Sequence, residues 1–80
     1  MINKEEVKQL IETNLEGSTA IVRNEYDDGE HFEAEVVCPA FEGETLIAQH
    51  RLVYGALGDA MYKRIHALQL KTYTPARWPH

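Results

Sequence analysis

The chain has 80 residues, 44% of them hydrophobic, which is enough for one buried core, so we predict a single domain over residues 1–80. Its 13 acidic and 8 basic side chains give a net charge of −5, which disfavours proteins that bind nucleic acid mainly through phosphate contacts. The single cysteine excludes an internal disulfide, and no apolar run approaches the roughly 20 residues of a membrane span, so we expect a cytoplasmic protein.

The first predicted element is an amphipathic helix that begins after Asn3. Asn3 followed by Glu6 matches the capping box that starts many helices, and Gly17 is placed to end the segment. The apolar residues between them recur at helical spacing: Val7, Leu10, Ile11 and Leu15. We expect this helix to cover a core and assign no chemistry to it.

A β-hairpin is predicted next. Its first strand lies within residues 18–25, its second runs from His31 to Cys38, and Asp28-Gly29 between them is a turn signal. Apolar and polar residues alternate along the second strand, so one face is buried and the other is solvated. The buried face holds Phe32, Ala34, Val36 and Cys38, and the solvated face holds His31, Glu33 and Glu35.

The stretch from Leu46 to Ile65 carries an apolar stripe at helical spacing. Gly55 and Gly58 lie inside it, and each glycine weakens a helix by roughly 1 kcal/mol relative to alanine. The pattern is compatible with one helix or with a short turn plus a longer helix. The four residues from Gly55 to Gly58 also spell the G-x-x-G of a KH-type RNA-binding loop, but the apolar residues between the glycines favour helix packing.

The last predicted strand starts at Ile65 and ends before Pro75. Leu68, Leu70 and Thr72 share one face, and Ala67, Gln69, Lys71 and Tyr73 share the other. A short helical turn with Trp78 as its apolar anchor follows. The order helix, strand, strand, helix (one or two), strand predicts an α+β sandwich with a mixed three-stranded sheet and its helices on one face.

The residue type that carries the chemistry of this sequence is histidine. His66 stands where the last helix meets the last strand, and both a packing role and a role as a ligand or proton-transfer group are open there. His50 is expected to pack under its helix, and His80 is expected to be mobile. Cys38 is interpreted as a small buried residue, because it lacks the electropositive surroundings of a reactive thiol. We therefore expect no enzymatic activity.

One cysteine and four histidines cannot supply the all-thiolate ligands of a typical iron–sulfur cluster. Any cluster bound by this chain would have to be shared with a second protein that supplies thiolates. Imidazole ligands raise the reduction potential of such a cluster, as in Rieske centres. Such ligation suits cluster transfer or sensing.

The sequence resembles the BolA family over nearly its whole length. The Asp28 to Phe32 turn fits one bacterial branch of that family. The other matching segments, in order and spacing, are Phe41-Glu42-Gly43, Gln49 to Tyr54 with Leu57, Ile65 to Leu68, and Lys71 to Pro75 with Trp78.

The resemblance implies a class II KH-like αββ(α)αβ fold without a working GxxG loop. It also implies a non-enzymatic partner of monothiol glutaredoxins that shares a bridging [2Fe-2S] cluster, with thiolates from the glutaredoxin and glutathione and imidazole from this chain. No cluster is expected in the isolated protein. His66 corresponds to the family's C-terminal histidine ligand, and His31 is the candidate for the second ligand.

Two other interpretations stay open. The family is also described as DNA-binding transcriptional regulators, which for this chain nominates Arg51, Lys63, Arg64 and Lys71, although the acidic balance weighs against it. A third interpretation is an interaction module or a homodimer of the apo-protein.

Overall fold

The computed structural model of the protein describes residues 2–24, 31–65 and 67–80. The Asp28-Gly29 turn and His66 lie outside these ranges. Among the described helices, none is long and apolar enough to cross a bilayer. The elements in chain order are α1 (Lys4–Asn14), β1 (Thr19–Arg23), β2 (His31–Val37), α2 (Leu46–Leu57), α3 (Asp59–Lys63) and β3 (Ala67–Tyr73), with short 3-10 turns at Pro39–Phe41 and Pro75–Arg77.

The three strands form one sheet in the order β1-β2-β3. β1 pairs with β2 antiparallel, as a hairpin does, and β2 pairs with β3 parallel. A parallel pair needs a long crossover, which α2 and α3 supply. The register places His31 opposite Ala67 at one end of this pair and Val37 opposite Tyr73 at the other. The predicted mixed three-stranded sheet is confirmed.

The core lies between the sheet and the helices, and the alternation along β2 decides which side chains enter it. Phe32, Ala34, Val36 and Cys38 are all buried, as predicted. The Cys38 side chain is 0% exposed, and its sulfur lies 3.5 Å from the carbonyl oxygen of Glu16. Cys38 is therefore the small buried residue that the sequence indicates.

The start of α1 has the cap that its sequence predicts. The side chain of Asn3 accepts a hydrogen bond from the backbone N–H of Glu6 at 2.9 Å. Ile2 before the cap and Val7 after it are both buried. This arrangement satisfies a backbone donor that helix geometry would otherwise leave without a partner.

The break between α2 and α3 lies at Gly58. Its φ of 57° is in the left-handed region, which favours glycine, and its N–H donates to the carbonyl of Tyr54 at 2.9 Å. The helical stretch is thus two helices, with the longer one first. Ala56 and Leu57 are buried, so the G-x-x-G segment contributes to the core and the helix-packing interpretation is confirmed.

Candidate functional site

His31 is the first residue of the central strand, and its side chain is exposed. Pairing with β3 fixes its backbone, because His31 and Ala67 are register partners. Ala67 directly follows His66 in the sequence, and His66 lies outside the described residues. The parallel register therefore places His31, one candidate ligand, opposite Ala67, the residue that follows the other candidate ligand in the sequence.

The described residues do not by themselves form a metal site. Within residues 2–24, 31–65 and 67–80, no group of three or more His, Cys, Asp or Glu side chains could hold a metal ion. Cys38 follows the far end of β2 from His31 and is buried, so its thiol cannot join the imidazole. One exposed imidazole supplies a single ligand of the several that an iron–sulfur cluster requires.

The helix-free face of the sheet carries a charged network centred on Glu35. One oxygen of Glu35 accepts from the guanidinium of Arg23 at 2.6 Å, and the other lies 3.0 Å from Nε2 of His80. The hydrogen bond from Arg23, followed by that from His80, lowers the pKa of Glu35 below its usual value. His80, which was expected to be mobile, thus has a defined partner on the sheet in this structure.

Aromatic contacts hold the same segment against the sheet. The ring of Trp78 packs edge-on against Tyr73 with centroids 5.3 Å apart, and against His80 with centroids 4.9 Å apart. Trp78 is thus the anchor that the sequence predicts. The residues after β3 fold back over the helix-free face of the sheet.

The four basic residues nominated for DNA binding belong to three different parts of the fold. Arg64 pairs with Glu6 at 2.8 Å, and Lys63 lies 3.7 Å from Asp59. The exposed Lys71 stands opposite Glu35 in the β2–β3 register. Arg51, the fourth, is exposed on α2. Acidic neighbours reduce the positive field that attracts phosphate, so this arrangement gives the DNA-binding interpretation little support.

The sequence matches the family model of BolA-like proteins over residues 8–77. The chain belongs to the BolA family. A solved bolA protein homologue from Coxiella burnetii is 53% identical and covers 95% of each chain, with a TM-score of 0.84. The α+β fold predicted for this BolA family member is confirmed by that likeness.

Curated relatives place BolA-like sequences in more than one setting. Protein BOLA2 of Arabidopsis thaliana is 38% identical over 98% of this chain and 85% of its own length. SufE-like protein 1 of the same plant is 41% identical over 75% of this chain, but the match spans only 16% of that protein. A BolA-like sequence therefore also occurs as a small part of a larger protein.

The amide of Gln49 is a positioning group that the sequence does not reveal. Its nitrogen donates to the carbonyls of Phe41 at 3.3 Å and Glu44 at 3.0 Å, and its oxygen accepts from the Thr72 hydroxyl at 2.6 Å. Gln49 thus joins α2, the preceding loop and β3. The contact with Thr72 is not signalled by the local sequence, because only the crossover brings β3 to α2.

The side chain of His50 is half-buried on α2 of this BolA family protein, which agrees with the predicted packing role. Its ring lies edge-on to Tyr54 with centroids 6.4 Å apart. The Nε2 atom is buried and has no hydrogen-bond partner within the described residues. A nitrogen that solvent cannot reach is a poor metal ligand, so we do not include His50 in the candidate site.

Proposed function

We propose that this protein is a non-enzymatic cytoplasmic partner of a monothiol glutaredoxin. In this proposal the two proteins share a bridging [2Fe-2S] cluster and act in cluster trafficking or in iron or redox sensing. The observation that supports it best is the exposed His31, paired in register with the residue that follows His66. The ligand roles of both histidines come from the BolA family pattern.

In this proposal His31 and His66 would each provide an imidazole nitrogen as a ligand. When bound, the cluster would supply a redox-active centre whose reduction potential is raised by histidine ligation. Pairing of β2 with β3 would hold the backbone of His31 in place, which lowers the cost of ordering this part of the chain when a partner binds. Thiolates from the glutaredoxin and glutathione would complete the ligand set.

A relative supports the link to iron–sulfur proteins. The match to a SufE-like protein joins a BolA-like sequence to a second unit in one chain. Such a fusion is a finding in favour of an iron–sulfur role for BolA domains. The glutaredoxin is proposed as the partner from the family resemblance.

The test is anaerobic reconstitution of the cluster with a monothiol glutaredoxin, followed by visible circular dichroism of the purified complex. We expect His66→Ala and His31→Ala each to change the spectrum, because each removes an iron ligand. His80→Ala is the matched control, since it removes an imidazole that contacts Glu35 on the helix-free face. A native protein that forms no cluster-bearing complex with the glutaredoxin would refute the shared-cluster proposal, and a native spectrum from either variant would remove that histidine from the ligand set.

A further inference from the structure

The outer edge of β3 presents backbone groups that have no partner within the described residues. The N–H of Cys38 donates to the carbonyl of Tyr73 at 3.2 Å, so the backbone of Tyr73 faces β2. Backbone polar groups in a strand point to alternate sides at successive residues. Those of Leu68, Leu70 and Thr72 therefore point away from the sheet, and no hydrogen bond is found to them among the described residues.

The opposite edge of the sheet is protected by the chain itself. At Ala20 in β1, the outward N–H donates to the carboxylate of Glu12 at 2.9 Å and the carbonyl accepts from Lys8 at 3.0 Å. Lys8 and Glu12 also form an ion pair with each other on α1. Proteins commonly block edge strands in this way to prevent pairing with other chains. The β3 edge has no such block in the part of the chain that the structure describes.

We propose that β3 pairs with β3 of a second copy of this chain, antiparallel across a two-fold axis at Leu70. In this register Leu70 faces Leu70 of the partner subunit, and Leu68 faces Thr72 of the partner subunit. All of these residues have outward backbone groups, so each opposed pair exchanges two hydrogen bonds. The result is a continuous six-stranded sheet.

The side chains of β3 are complementary to themselves in that register. On the helix-free face, the uncharged Gln69 stands opposite Lys71 of the partner subunit, so the one charged residue type of the strand never faces its own copy. On the helix face, the half-exposed Leu68 and Leu70 gain apolar neighbours. No directly opposed pair is repulsive.

An exposed flank of α2 extends the same surface. Leu46 is 62% and Ile47 67% exposed, and Tyr54 lies two turns further along. Ala56, which accepts a hydrogen bond from Asn14 of α1 at 3.0 Å, is nine residues after Ile47 and hence on the opposite side of the helix. The apolar flank therefore faces away from α1. A sheet continued through β3 would bring the second α2 onto the same face, beside this flank.

The first test measures the dimer dissociation constant by sedimentation equilibrium for Gln69→Lys and Gln69→Glu. Lysine at this position would face Lys71 of the partner subunit twice per dimer and weaken the dimer by about fivefold, whereas glutamate would strengthen it by about the same factor. Gln9→Lys, an equally exposed change on α1, is the charge-matched control and should leave the constant unchanged.

Folding effects run in the opposite direction, which separates them from the interface. Gln69 is the register partner of Glu33 within one chain, so lysine there should favour the folded monomer and glutamate should disfavour it. A native protein that stays monomeric at all accessible concentrations would overturn the proposal. It would also be overturned if the two substitutions shifted the constant in the same direction.

A second test reads the hydrogen bonds directly by amide hydrogen exchange. The amides of Leu68, Leu70 and Thr72 should become protected as protein concentration rises. Those of Gln69 and Lys71, which face β2, should be protected at every concentration. A dimer in which the three outward amides still exchange as in the monomer would place the interface elsewhere and refute the proposal.

Discussion

The Nε2 atom of His80 lies 3.0 Å from Oε1 of Glu35, across the face of the sheet that the helices leave uncovered. Arg23 of β1 holds the other carboxylate oxygen at 2.6 Å, so Glu35 links its neighbouring strand to the residues after β3. Its side chain is only 13% exposed, although it is charged. The ionised state of this one carboxylate therefore matters for how the open face is organised.

We expect this network to make the free energy of unfolding depend on pH in the acidic range. The pKa of folded Glu35 is lowered from 4.5, first by the hydrogen bond from Arg23 and then by that from His80. Because its pKa is lower in the folded state, Glu35 contributes to the free energy of unfolding at pH values above its unfolded-state pKa. This contribution is lost as the pH falls through its folded-state pKa. The free energy of unfolding of the native protein should thus fall more steeply below about pH 4.5 than that of Glu35→Gln.

Urea denaturation at pH values from about 3 to about 7, followed by far-ultraviolet circular dichroism, measures this difference. Carboxylates titrate at the acidic end of this range. Glu33→Gln is the matched control, because Glu33 lies on the same strand and the same face. This variant keeps the Glu35 carboxylate, so it should keep the contribution of Glu35. Equal slopes for native protein and Glu35→Gln would show that the network does not couple to folding.

The two glycines of the helical region should respond to alanine in opposite ways. At Gly58, φ of 57° and ψ of −136° form a conformation that is essentially restricted to glycine, so Gly58→Ala should lower the free energy of unfolding by about 1–3 kcal/mol. At Gly55, inside α2, an added Cβ meets nothing within 4 Å. Gly55→Ala should therefore raise the free energy of unfolding by roughly 0.5–1 kcal/mol.

Thermal and chemical denaturation of the two glycine variants measures these changes. Each variant serves as the control for the other, since the chemical change is identical and the positions are three residues apart. A stabilising Gly58→Ala would contradict the break between α2 and α3. A destabilising Gly55→Ala would mean that the apparently open space beside that residue is occupied in solution.

Duplex DNA should bind weakly and with strong salt dependence. Arg51 and Lys71 are exposed on different elements, and the net charge of −5 opposes approach to phosphate. In filter binding, the affinity should be lost between about 50 and 200 mM salt. The double variant Arg51→Ala with Lys71→Ala should reduce the slope of log affinity against log salt by the amount expected for about two phosphate contacts. Lys4→Ala on α1 is the control, and affinity that persists at about 200 mM salt would instead favour the regulator interpretation.

Local patterns predicted what local physics decides. The alternation along β2 identified Phe32 and Val36 as core residues because successive side chains in a strand point to opposite faces. The cap at Asn3 was readable because both of its partners lie within one helical turn. The sequence does not decide between one continuous helix and a break at Gly58, because glycine permits both a helix and a left-handed turn.

Long-range contacts were not predictable from such patterns. The opposition of His31 and Ala67 depends on the length and direction of the crossover, which no local signal specifies. Thr72 is likewise distant in sequence from Gln49, and Glu35 is distant from His80. For the candidate site, residue type and family resemblance nominated the histidines, and the geometry adds the placement of His31 alone.

Lys8 and Glu12 block the outer edge of β1 at Ala20, and this block limits how large an assembly could grow. In a dimer joined through β3, both outermost strands would be β1, and each would carry that block. Assembly would therefore stop at two subunits, because no exposed edge strand is left to pair with a third. The same short ion pair that finishes one small sheet would thus guard against fibre formation.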